Sequence, residues 1–281
     1  MTLATAVIMS CDRQDALRRQ LLYYANKPIH VIFADGSDED WGTGESGSIG
    51  AMTWEYFRIS GFDSYVERTV TATYKVKTEF MFFLDDEDCT LWTGVERAVD
   101  FLTKNSDHSC AGGRLDTMEF LNGRLGIRGF NRFSTSFELL HPIGIERFEK
   151  MCVANRTANL FYQVLRTASA RAFVGALDPK LKIFDFYLGF IEIAFCGFLA
   201  FCGKWEMGTY PFSVKYFAAG EHNRSSYKDY ISSKAATELS ILIDKAVNLH
   251  GGDYEKINAG IDQFLTAKII LRNYGKTGIN V

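Results

Sequence analysis

The order of apolar runs and helical periodicities predicts an α/β protein, a mixed sheet flanked by helices with a helical extension at the C-terminal end. Three observations carry that expectation. Residues 4–9 and 29–34 are apolar runs separated by Leu17, Leu21, Leu22 and Tyr24 at helical spacing. Strand, helix and strand within about 30 residues make a βαβ unit, whose two strand ends share one edge of the sheet. Phe80-Met81-Phe82-Phe83-Leu84 ends abruptly in Asp85-Asp86-Glu87-Asp88, the pattern of a strand buried on both faces of a parallel sheet. The chain's 281 residues are 47% hydrophobic and 14% aromatic, enough to bury a full core.

The first strand leads to Asp12 and Asp15, read as a helix cap with acid in the first turn, and Asn26-Lys27-Pro28 breaks that helix. After the second strand, residues 38–50 are rich in Gly, Asp, Glu and Ser and read as a loop. Residues 54–59 predict a third strand, and Asp63 caps a helix carrying Val66, Val70 and Tyr74 into the Phe80 strand. Thr90 is the expected cap of a helix through Leu102. Residues 109–114 form a strand whose Gly112-Gly113 pair marks a close approach or a bulge, and Asn122-Gly123 signals a hairpin over residues 119–128. Residues 145–172 show a mixed pattern. Residues 175–179 form a turn, Asp185 opens a helix that stops at Gly203, and residues 205–215 read as a last strand with Pro211 at an edge or bend. A polar loop at 220–224 then precedes two amphipathic helices, 227–249 and 253–274.

Composition excludes several classes. A formal net charge of −3 offers no basic field for nucleic acid. The six cysteines are scattered, with no Cys-x-x-Cys pair, so reduced thiols and a cytoplasmic location are expected. Residues 1–9 lack the basic and long apolar regions of a secretory leader. Residues 186–202 are apolar but contain Glu192 and fall short of a span, which predicts a buried helix or one lying at the inner membrane face.

Chemistry gathers where the strands end. Parallel strands would bring residues 10–13, residues 35–37 and the acidic run to one rim, where α/β sheets bind ligands. Four adjacent carboxylates repel one another in a partly dry site, so a cation must compensate them. Oxygen-only ligands favour Mg²⁺ or Mn²⁺, held by Asp86 and Asp88 and bridging to phosphates.

These residues resemble the nucleotide-binding half of GT-A glycosyltransferases, close to the inverting family 2 and its bacterial relatives in polysaccharide synthesis. The resemblance rests on Val7-Ile8-Met9-Ser10, on Val31-Ile32-Phe33-Ala34-Asp35-Gly36-Ser37, and on Thr78-Glu79-Phe80 leading into the acidic run, and covers about the first 115 residues. It implies that Asp35 binds the nucleotide base and that Asp85, Asp86 and Asp88 serve ribose and metal. It also implies a donor such as a UDP-sugar and a glycan or lipid-linked acceptor. The long loop after Ser37 and the all-acidic Asp-Asp-Glu-Asp depart from the family pattern. On this reading residues 1–226 form the catalytic domain, with the acceptor half at 116–226, and residues 227–281 form an extension that docks on the domain, on a second copy or on a membrane.

Ser10, Asp12, Arg13, Asp35, Ser37, Lys75, Asp85, Asp86, Gly113 and Arg224 are therefore the candidate donor-binding residues. Asp86, Asp88 and His222 are the candidate metal ligands. Asp185, at the start of the apolar helix, and Glu192, two turns into it, are the candidate carboxylate bases. Two rivals remain. Asp86-Glu87-Asp88-Cys89-Thr90 also fits the Asp-x-Asp-x-Thr of haloacid-dehalogenase-like Mg²⁺ phosphatases, and a GT-A domain can bind a nucleotide without turnover.

Overall fold

The computed structural model describes residues 2–42, 44–121, 124–129, 137–154, 162–177, 179–180 and 188–217. Asp185, His222, Arg224, the turn expected at Asn122-Gly123 and the two helices expected at 227–249 and 253–274 lie outside them. In chain order the elements are β1 (Thr5–Ser10), α1 (Gln14–Tyr24), β2 (His30–Asp35), β3 (Ser46–Ile49), β4 (Met52–Arg58), α2 (Tyr65–Lys75), β5 (Phe80–Asp85), β6 (Cys89–Thr90) and α3 (Trp92–Lys104). There follow β7 (His108–Leu121), β8 (Arg124–Gly129), β9 (Phe137–Leu139), α4 (Gly144–Ala154), β10 (Val164–Arg166), α5 (Thr167–Val174), α6 (Leu188–Cys202) and β11 (Lys204–Phe217).

Among the described residues eleven strands form one sheet in the order β3-β4-β2-β1-β5-β10-β7-β11-β6, with β8 on β7 and β9 on β11. Neighbours among β4, β2, β1 and β5 are parallel. Because β10 is antiparallel to both β5 and β7, β7 and its parallel partner β11 run the same way as β1. The central strands are apolar along their whole length because side-chain alternation sends them into two cores. Val7, Met9, Ile32, Ala34, Met81 and Phe83 face α2, α5 and α6, whereas Ala6, Ile8, Val31, Phe33, Phe82 and Leu84 face α1 and α3.

Of the apolar stretch at 186–202, the described side chains from Ala194 onward pack into that first core. Ala194 to Phe201 are buried, and the Phe195 ring meets Phe83 at 5.6 Å and Phe173 at 4.8 Å between centroids. Among the described residues no helix is long and apolar enough to cross a membrane.

Several local expectations need correction. The loop after Ser37 holds the edge strand β3, antiparallel to β4, whose Ser-Gly-Ser-Ile sequence has no apolar alternation to reveal it. Asp12 does not cap α1: it sits in the left-handed region at φ 57°, and Arg13 takes the cap position. That conformation is tolerated by Asp better than by most residues. Asp63 lies in a 3₁₀ turn, and Ser64 precedes α2. Thr90 is drawn into β6 by pairing with Ser213, leaving Leu91 to precede α3. The described residues of the mixed stretch 145–172 include α4, β10 and α5. Pro211, as expected, sits at an irregularity, where the β7–β11 register shifts on either side of it.

Candidate functional site

The carboxyl ends of β1, β2 and β5 form the rim that the sequence pattern predicts. Ser10 is level with Asp35, and Met9 with Asp85, so the residues after each strand meet. Beside them an open cleft of about 540 Å³ is lined by Asp12, Arg13, Gln14, Asp15, Ser37, Asp38 and Glu39.

On one side of the rim Asp35 is fully buried and surrounded by neutral donors. Its Oδ1 accepts the Ser37 amide at 3.0 Å and the Ser37 hydroxyl at 2.6 Å, and its Oδ2 accepts the Tyr56 hydroxyl at 2.9 Å. The Asp12 amide donates to Ser37 Oγ at 2.7 Å, which ties the β1 loop to the β2 loop. Burial, with the bond to Asp35, pushes the Tyr56 phenol up to about 12, so it remains a donor at neutral pH. Beneath this turn Arg68, 1% exposed, donates to Ile59 O at 3.2 Å and Gly61 O at 2.6 Å. Burial lowers its pKa, while Cys11, Tyr65 and Asp35 favour its charge. A Cβ at position 36 would come within 2.4 Å of the guanidinium, so any larger residue there would require Arg68 to shift. Cys11 sits alongside, its thiol pushed up to about 11 by burial and by Asp12.

On the other side the acidic run folds as a turn, closed by the Asp88 amide donating to Asp85 O at 3.1 Å. Asp86 and Asp88 are 4% and 1% exposed. Ser10 donates to Asp86 Oδ2 at 2.6 Å, and Arg13 pairs with Glu87 and lies 3.5 Å from Asp86 Oδ1. Gln20, buried on α1, donates to both Asp86 O at 2.9 Å and Asp88 O at 2.6 Å, which pins the turn from below. Tyr162 donates to Asp85 Oδ2 at 2.8 Å, and Lys215 Nζ lies 3.4 Å from Asp85 Oδ2 and 3.5 Å from Asp88 Oδ2. Protein cations thus stand where the sequence reading placed a metal alone. Among the described residues no three His, Cys, Asp or Glu side chains converge on one point. The oxygen donors of Asp86 and Asp88 still suit a hard divalent ion, which would complete its shell from phosphate and water.

Ser10, Asp12, Arg13, Asp35, Ser37, Asp85, Asp86 and Asp88 therefore come together. Lys75 does not: it ends α2, pairs with Glu55 and lies 5.5 Å from the Phe57 ring centroid, at the end of the helix that feeds the start of β5. Gly113 is also accounted for differently. A Cβ there would come 2.3 Å from Tyr210 O, and its amide donates to Gln163 at 2.9 Å, so the close approach is made by β11 and Gln163 instead of a donor sugar. Arg114 makes a two-pronged pair with Asp116 at 2.7 and 3.0 Å. Glu192 lies on α6. The sequence reading missed Gln20, Tyr56, Arg68, Tyr162 and Lys215, all brought in from other elements; only the polarity of Gln20 and Arg68 within helices hinted at a buried role.

This sheet order, with one antiparallel strand between parallel halves and carboxylates at the parallel strand ends, is a GT-A-like fold. The chain is similar to the solved structure of S. aureus TarS 1–349 in complex with UDP-GlcNAc, with a TM-score of 0.62 and 13% identity over 93% of this chain and 71% of that one. The same fragment in complex with UDP matches with a TM-score of 0.58 at 12% identity, covering 93% and 70% of the two chains. Against the longer S. aureus TarS chain the TM-score is 0.59 at 11% identity, and the match spans 93% of this chain but 42% of that one. At such identities the likeness is one of fold. No protein-family model matches the chain, and no curated protein matches it in sequence.

Proposed function

We propose that this chain is a glycosyltransferase that moves a sugar from a nucleotide diphosphate, a UDP-sugar, to a hydroxyl of a glycan or lipid-linked glycan. One observation carries the reading: a buried carboxylate, Asp35, held by three hydrogen bonds, and a cation-flanked acidic turn share the rim formed by β1, β2 and β5. The first is suited to orienting a neutral base and ribose, the second to receiving a diphosphate. The likeness to structures that contain UDP-GlcNAc and UDP supports the donor class.

In this proposal Asp12, Ser37 and Asp35 shape the nucleoside side of the cleft, and Arg13 reaches the phosphate side. Asp86 and Asp88 would hold a Mg²⁺ or Mn²⁺, which supplies Lewis-acid neutralisation of the diphosphate. The acceptor oxygen bonds to the anomeric carbon as the bond from that carbon to the phosphate oxygen breaks, with the electron pair staying on phosphate. A carboxylate, Asp185 or Glu192, takes the acceptor proton in an inverting displacement.

The test is the thermal shift of the purified protein against UDP, GDP, CMP and ADP, each with and without Mn²⁺. A ligand at ~100 times its Kd stabilises a fold by about 2.7 kcal/mol. A metal-dependent shift with UDP that disappears in Asp86→Ala is expected. No shift with any of the four overturns the reading.

A further inference from the structure

Lys215 is placed by the fold in a way the transfer reading alone does not require. Strand β11 is 14 residues long, and its Ser213 and Val214 pair with Thr90 and Cys89, the residues directly after the acidic turn. The next residue, Lys215, is therefore carried to that turn by backbone pairing. Among the described residues its ammonium lies 3.4 Å from Asp85 Oδ2, 3.5 Å from Asp88 Oδ2 and 3.1 Å from the Tyr162 hydroxyl. It also lies 4.3 Å from the Tyr162 ring centroid, a cation–π distance.

Both carboxylate distances are longer than the 2.7–2.9 Å or so of a committed charge-assisted hydrogen bond. The side chain is 23% exposed, against 1% for Asp88, so the ammonium is on the wetter side of the pair. A diphosphate approaching these carboxylates meets like charge unless a cation is interposed, and lysine serves as a mobile point charge for phosphate. Arg13 pairs with the other two carboxylates of the turn, Asp86 and Glu87. The turn is thus flanked by one cation from the β1–α1 loop and another from β11.

We propose that Lys215 is a diphosphate-contacting residue of this site, held on Asp85, Asp88 and Tyr162 until the nucleotide's phosphates draw its ammonium across. The inference rests on the nucleotide-sugar reading and assigns one charge within it. Tyr162 acts as a positioning residue, because its hydroxyl reaches both Asp85 and Lys215.

The experiment is titration calorimetry of the full chain, wild type, Lys215→Met and Lys215→Arg, with UDP, UMP and uridine in Mn²⁺ buffer, and melting of each variant to confirm folding. Lys215→Met should weaken UDP binding by roughly ten- to a hundredfold and leave uridine binding within about twofold, with Lys215→Arg recovering most of the loss. If wild type binds UDP and folded Lys215→Met binds it equally well, or loses UDP and uridine in the same proportion, the assignment is overturned. If Lys215→Met does not fold, Lys215→Gln and the wild-type ratio of UDP to uridine affinity decide: a ratio that Lys215→Gln leaves unchanged overturns it. Failure of wild type to bind any of the three overturns the nucleotide reading itself, a separate result.

Discussion

Asp35 and Asp86 stand at the ends of strands on either side of β1, both buried, yet the protein treats their charges differently. Around Asp35 the partners are an amide and two hydroxyls. Around the Asp85–Asp88 turn they include Arg13 and Lys215, with Ser10, Gln20 and Tyr162 setting geometry. Neutral donors fix the Asp35 carboxylate in one orientation, and the buried Arg68 guanidinium beneath the turn offsets part of its charge, which suits a group that shapes a pocket. Side-chain cations beside the turn compensate its charge and present positive charge to an incoming anion, which suits a place where a charged ligand arrives.

The sharpest way to break this contrast is Asp35→Ala. It would leave the Ser37 amide, the Ser37 hydroxyl and the Tyr56 hydroxyl without their acceptor in a dry site, and should cost about 3 kcal/mol or more in urea unfolding. Asp35→Asn keeps one acceptor oxygen and should cost about half as much. A loss below about 1 kcal/mol for Asp35→Ala would show that the network is not what holds the two loops together.

Gln20→Leu attacks the other region through its geometry and leaves every charge in place. Two carbonyls, Asp86 O and Asp88 O, lose their shared donor, for an expected cost of about 2 kcal/mol. Donor KM should rise more than kcat falls, since a loosened turn binds less well; an unchanged KM would argue that the turn is set by β6 alone.

A smaller effect is expected from Tyr56→Phe, which removes one of the three donors to Asp35 and should cost about 1 kcal/mol. The loss should not vary between pH 6 and pH 9, because the Tyr56 phenol, pushed up to about 12, stays protonated throughout. Raising salt to about 1 M, where the Debye length is about 3 Å, should leave it unchanged too, whereas UDP affinity at the cation-flanked turn should fall.

The smallest effect lies far from the rim and serves as a control. Hydrogen bonds from Lys204 and His108 hold the exposed Asp107 carboxyl down at about 2, below its ordinary value near 3.8. A carboxyl whose pKa is lower in the folded state stabilises above the unfolded value and loses that contribution as pH falls through the folded one. Asp107→Asn should therefore narrow the stability difference between pH 5 and pH 2 slightly, an effect that salt weakens. At each pH where the protein is folded, the nucleotide affinity of the variant should equal that of the wild type.

Much of the rim was legible before any coordinates. The apolar runs ending in Ser10, Asp35 and Asp85 predict buried parallel strands, and parallel strands joined by helices put their ends together. The second wall of the site was not legible, because Tyr162 and Lys215 come from segments whose local patterns carry no sign of what they face. Lys75 and Gly113 were placed by residue type alone. The structure gives Lys75 to Glu55 and fills the space over Gly113 with Tyr210.

Amphipathic periodicity, strand runs and the position of charges at their ends are local properties, and they suffice to determine an α/β sheet with an acidic rim. Pairing partners are long-range. Only the tertiary structure decides that β10 inserts antiparallel between β5 and β7, and that β11 clamps β6. That clamp brings Lys215 against carboxylates about 130 positions earlier in the chain. The physical reason is that strand pairing depends on backbone hydrogen bonds, which every residue but proline offers equally. Which strands meet is therefore settled by how the two cores pack and not by any motif within the strands themselves.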